Sequence, residues 1–199
     1  MRLKKIQILA LTCLFIMTTS PQLRADGFGY SYIDAIYSTS DTDIEGFNIN
    51  SKGFDIDASV ALSENVAFTI GYGNETAETA YIAGFDIDLN SFDFGFDFHA
   101  PLAATTDVVI GFSVLNSEIS IPFASEDDTG NVISAGIRHR LAPNAELDIG
   151  VGRVDIFDES ATGFDIALLV EIANNFHFGI GYGSSEDTTS IGFGVRAGF

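Results

Sequence analysis

Acidic side chains recur at alternate positions along this 199-residue chain, and that spacing limits the chemistry open to them. Asp55 and Asp57, and Glu146 and Asp148, are i, i+2 pairs, and Asp93 and Asp97 share parity four residues apart. On a strand such pairs leave one face together, whereas on a helix they diverge. Carboxylates gathered on one surface can share protons, hold hard cations through oxygen or set the sign of a channel wall. Arginines follow the same rule: Arg138 and Arg140 alternate on one segment, and Arg196 lies in the last.

A second acidic stretch, Asp41-Thr42-Asp43-Ile44-Glu45-Gly46, begins like a calcium loop, with carboxylates at alternate positions and Gly at the sixth. Its twelfth position is Lys52, where a bidentate Glu would bind hardest. Asp41, Asp43 and Glu45 are therefore weak metal candidates. Glu126-Asp127-Asp128, Asp158-Glu159 and Glu186-Asp187 read as solvated loop charge, able to take Ca²⁺ or Mg²⁺ weakly at a lipopolysaccharide surface.

Catalysis needs a nucleophile or base with partners, and the chain has three histidines and one cysteine. No His-x-x-x-His or Cys pair offers a zinc site. His99, His139 and His177 fall at the same end of their segments, and no cofactor motif accompanies them. The expectation is a non-enzymatic protein with no cofactor.

Composition narrows the partners. A formal net charge of -19 repels phosphate, so nucleic acid is excluded as a partner. Residues 1–25 have the form of a signal peptide: Arg2, Lys4 and Lys5 precede an apolar core from Ile6 to Met17, and Leu23-Arg24-Ala25 offers the cleavage site. Cys13, the only cysteine, lies inside that core, so the exported chain has none. Residues 26–199 form the single remaining domain.

Period two supplies the elements that must position the charges. Ten alternating segments are expected: 28–38, 53–62, 66–73, 89–100, 107–115, 132–141, 146–155, 163–172, 176–183 and 189–199. Phe54, Ile56, Ala58, Val60 and Leu62 make one apolar face; Phe92, Phe94, Phe96 and Phe98 make another; the opposite faces hold Gly, Ser and Asp. Short turns at 63–65, 101–106, 142–145 and 173–175 alternate with longer acidic connections at 39–52, 74–88, 116–131, 156–162 and 184–188. That asymmetry fits a barrel with short periplasmic turns and longer external loops. The fold class is all-β, a closed antiparallel up-and-down transmembrane β-barrel of ten strands, with eight as the alternative. A soluble secreted β-sandwich, with the apolar faces turned inward, is the competing fold.

The final strand, Thr189 to Phe199, alternates Ile191, Phe193, Val195, Ala197 and Phe199 against Ser190, Gly192, Gly194, Arg196 and Gly198. It resembles the C-terminal sorting signal of outer-membrane barrels, which implies that Gly194 and Phe199 mark the strand for the barrel assembly machinery. Tyr30-Ser31-Tyr32-Ile33-Asp34, Phe94-Gly95-Phe96-Asp97-Phe98-His99 and Gly136-Ile137-Arg138-His139-Arg140-Leu141 also look like strands of one family. The whole exported length resembles the small Gram-negative outer-membrane β-barrel proteins, the porin-like outer membrane protein β-barrel domain family. That resemblance implies a cell outer membrane location, with outer-membrane lipid and lipopolysaccharide as surroundings.

With the apolar faces on lipid, the lumen receives the charges. Asp34, Asp55, Asp57, Asp93 and Asp165 are expected in the outer part with no basic partner in reach. Arg138, Arg140 and Arg196 are expected near the periplasmic end, beside Asp97, Glu146, Asp148 and Glu171. Two roles follow: a narrow structural barrel, or a small cation-preferring pore with a negative outer half and acidic extracellular loops. The alternative is a surface adhesin or ligand-binding barrel acting through its loops.

Overall fold

The structure is a computed structural model that describes residues 22–24, 27–44, 47–78 and 86–199. Most of the expected leader and the metal candidate Glu45 lie outside the described residues. Strands β1 (Gln22–Arg24) and β2 (Gly27–Gly29) pair as a small separate hairpin.

Ten further strands follow: β3 (Tyr32–Ile44), β4 (Phe47–Ala61), β5 (Val66–Glu78), β6 (Asp86–Ala103), β7 (Thr106–Ile121), β8 (Ala124–Ala142), β9 (Ala145–Ile156), β10 (Glu159–Ala173), β11 (Phe176–Ser185) and β12 (Thr188–Gly198). Each pairs antiparallel with its sequence neighbour, and β12 returns to β3 with Val195 opposite Ala35. This is a closed ten-stranded barrel without edges, so the eight-stranded and sandwich alternatives fall away. Phe54, Ile56, Phe92, Phe94, Phe96, Phe98, Phe164, Phe178 and Phe193 are exposed on its outer wall, as a lipid-facing band requires.

The strands run further than the sequence pattern indicates, and the expected long loops are mostly ladder. Residues 39–44 pair with 47–52, setting Thr39 opposite Lys52 and Asp41 opposite Asn50. Residues 116–121 likewise pair with 124–129. Polar side chains need water only on their own face, so Ser, Thr, Asn and Asp continue a strand beyond the membrane as well as apolar residues do within it. Of the calcium-like stretch, residues 41–44 lie in β3, where Asp41 and Asp43 stand exposed on a paired strand instead of in a loop.

Polarity inverts along the barrel axis. Tyr37 opposite Phe54 and Tyr72 opposite Phe92 end the apolar outer band, as aromatic girdles do. Beyond them the outward positions become Lys52, Asn74, Asn90, Asn116 and Thr162, all exposed or partly exposed. At that height the inward positions become apolar instead: Ala77, Ile87, Leu89, Leu115, Ile119, Val132, Val154, Ile156 and Ala161 are buried in one cluster. The barrel thus carries a collar above the membrane built like a soluble protein, wet outside and dry inside. Phe157 closes it. With Asp158 it makes the two-residue β9–β10 turn, φ 54° and 60°, the positive values that a type I′ turn demands. Its N–H donates to Asp128 Oδ2 at 2.6 Å, and its ring joins the cluster.

Candidate functional site

The lumen is the candidate site, and its contents come in three layers. The lowest lies at the end where the chain starts and stops. Phe28 and Tyr30, expected in the first strand, instead precede β3 and fill this mouth from inside. Arg138 lies over both rings, its Cζ 4.6 Å from the Phe28 centroid and 4.4 Å from that of Tyr30. Arg140 lies 5.1 Å over Phe28. Tyr30 stacks on His99 with centroids 3.4 Å apart, and its hydroxyl donates to Asp107 Oδ2 at 2.9 Å. Ser59 Oγ donates to the Tyr30 carbonyl at 2.9 Å. A guanidinium desolvated against aromatic faces gains cation–π energy of ~2 kcal/mol per good contact, which helps to hold the segment.

Arg138 is only 1% exposed, and its Nε donates to Glu146 Oε1 at 2.8 Å. Across the lumen Arg196 grips Asp34 with two bonds, Nε to Oδ1 at 2.6 Å and Nη2 to Oδ2 at 2.5 Å. Its Cζ also sits 4.3 Å over Tyr32. This corrects the expectation that Asp34 stands high and unpaired. Because β3 starts at Tyr32 and runs on to Ile44, Asp34 lies low on its strand, directly opposite Arg196. The three arginines also form two groups, since β8 and β12 are four strands apart in the barrel order.

The middle layer holds most of the acids. A single rung of the sheet runs Arg196, Asp34, Asp57, Gly71, Asp93 across β12, β3, β4, β5 and β6. Asp55 is the next inward residue along β4 and Asp97 lies two inward positions along β6, beyond Gly95, both buried. Asp165, on β10, faces Gly150 across the barrel from this group, because β10 lies four strands from both β4 and β6.

The outer layer is the apolar cluster, with a polar seam on the remaining wall. There Ser40 and Ser51 share a 2.6 Å bond, Ser40 donates to Glu75 at 3.0 Å, and Thr42 meets Thr188 at 2.6 Å. The negative outer half expected from the sequence is therefore replaced by a dry cap above the acids. Leu89, Leu115 and Val154 fall inside the expected strands and share parity with the inward acids and glycines, a signal from which their inward burial was open to detection.

The histidines are apart. His99 lies under Tyr30, His139 bonds Thr106 Oγ1 at 2.9 Å on the outer-wall parity, and His177 is buried on β11 beside the Arg196 rung. Among the described residues, no group of three or more His, Cys, Asp or Glu side chains is arranged to hold a metal. Gly194 faces inward, where a Cβ would come 3.0 Å from Ile36 Cγ1, and Phe199 is exposed at the strand's end.

Comparison with known proteins supports the architecture. The family model described as outer membrane protein beta-barrel domain matches residues 9–199. No curated protein matches the chain in sequence. Among solved structures, an outer membrane channel from Pseudomonas putida F1 is similar, with TM-score 0.53, 10% identity and coverage of 92% of this chain and 98% of that one. The transport unit of the autotransporter AIDA-I from Escherichia coli gives TM-score 0.53, 11% identity and coverage of 98% and 97%. The KdgM porin in complex with disordered oligogalacturonate gives 0.51, 12%, 84% and 99%. At these identities the likeness concerns the fold alone.

Proposed function

On the premise that the chain belongs to the outer membrane protein beta-barrel domain family, we propose that it is a closed structural barrel that does not conduct in its resting state. The observation that carries this reading is the filling of both mouths. Phe28 and Tyr30 under Arg138 occupy the periplasmic end, and the Leu89, Leu115 and Ile156 cluster occupies the outer end. A constriction lined by apolar side chains excludes water and so blocks ions without any moving part. What the barrel offers the cell surface, among the described residues, is an acidic collar of continued strands. The reading assigns no catalysis to the separated histidines. Insertion would proceed through the barrel assembly machinery acting on β12, into a leaflet of lipopolysaccharide.

A cation-preferring pore is the second reading, favoured by one observation. Gly179, Gly181, Gly192 and Gly194 leave part of the lumen wall on β11 and β12 bare of side chains beside Arg196. Planar-bilayer recording of the refolded chain from residue 26 separates the two. The closed reading expects no stable steps in a salt gradient; sustained, cation-selective steps would overturn it in favour of the pore.

A further inference from the structure

We propose that the lumen holds a partly hydrated divalent cation between Asp57 and Asp93. The sheet register forces the two carboxylates together. Asp57 and Asp93 occupy one rung on either side of Gly71, and both fold over that glycine. A Cβ at position 71 would lie 2.6 Å from Asp57 Oδ1 and closer still to Asp93 Oδ1, so only glycine leaves the gap they share. Asp34 stands directly opposite Asp57 on the same rung, and like charges facing across a strand pair repel.

Arg196 Nε and Nη2 both bond Asp34, and Arg138 Nε bonds Glu146, so neither of these contacts reaches Asp57 or Asp93. Asp57 is 7% exposed and its Oδ2 has no hydrogen-bond partner. It lines a cavity together with Asp93, Asp97 and Ser134. A buried carboxylate with an idle oxygen, beside a second carboxylate and a void, wants a cation in that void. Two carboxylates balance a double charge. Among the described residues no group of three or more such ligands is arranged to hold an ion, which suits one of the Mg²⁺ type that keeps several waters and takes one or two carboxylates. The inference is independent of conduction, because the site exists in a sealed lumen and in an open one.

The test is to refold the chain from residue 26 in EDTA, in Mg²⁺ or in Ca²⁺ at matched ionic strength, then remove loose ions by gel filtration. Retained metal and the melting temperature are read on the same samples. Wild type is expected to retain one equivalent and to melt higher with metal than in EDTA. Asp57→Asn with Asp93→Asn should lose both effects and melt in EDTA no lower than wild type. If that pair does not refold, Gly71→Ala, which fills the gap with a methyl group, should lose the retained metal. The exposed-acid variant Asp86→Asn with Asp88→Asn should keep both effects. Wild type without retained metal, or equal retention once Asp57 and Asp93 are neutralised, would overturn the proposal.

Discussion

Asp34→Ala is expected to destabilise the barrel by about 3–5 kcal/mol, the usual cost of leaving one partner of a buried ion pair alone. The residue removed bonds both Arg196 Nε and Nη2, and both partners are buried. The pair also joins β3 to β12, the first and last barrel strands, so its loss falls on the seam that closes the sheet. Arg196→Met should cost a similar amount for the opposite reason, since Asp34 then faces Asp57 with both guanidinium bonds lost. The double variant Asp34→Leu with Arg196→Met should recover most of the loss, because an apolar pair of similar volume removes both desolvation penalties. Reversible urea unfolding from lipid vesicles measures all three. A single-variant loss below about 1 kcal/mol, as exposed pairs give, would place this pair in water.

Leu115 tests the dry cap. It is 1% exposed within the outer cluster and stands opposite Asp93 in the sheet. Leu115→Ala should cost about 2–5 kcal/mol by cavity formation. Leu115→Asp should cost more, because a buried charge gains no base and acquires Asp93 as its neighbour. Asn116→Asp, one residue along and outward into solvent, should be nearly neutral. Were the outer lumen a negative aqueous vestibule, Leu115→Asp would be tolerated as readily as Asn116→Asp. Comparison of their urea midpoints distinguishes the two environments.

How much of this was legible in the chain follows from what period two encodes. Alternation at Phe92, Phe94, Phe96 and Phe98 reports a lipid face directly, so the strand count, the antiparallel order and the inward side of Asp55, Asp57 and Arg138 were all readable. Strand ends were not, because Thr39 to Ile44 satisfies ladder hydrogen bonds in water as readily as it would form a loop. That shortening misplaced Asp34 and hid its bond to Arg196. The inversion at Leu89 was present in the sequence as a change of apolar parity between 89 and 92, yet such a change also marks a strand boundary. Only the pairing of Leu89 with Ile119 and Glu75 separates the two meanings. Phe28 and Tyr30 continue the alternation of β3, so nothing local distinguishes a lumen plug from another turn of strand. The shared rung of Asp57 and Asp93 depends on β4, β5 and β6 registers that no single stretch contains.

Cysteine accessibility reads most directly whether the lumen is closed to solutes from both sides. The chain from residue 26 has no cysteine, since the single cysteine is Cys13. Ser134 is buried and borders the cavity beside Asp97, so Ser134→Cys introduces a thiol there with little change in volume. Asn116→Cys, exposed on the collar, serves as the reactive reference. In sealed vesicles carrying a membrane-impermeant maleimide on either side or both, a closed lumen gives rapid labelling at 116 and none at 134 until the barrel is unfolded. Labelling of the folded protein at 134 at a rate comparable to 116 would contradict it.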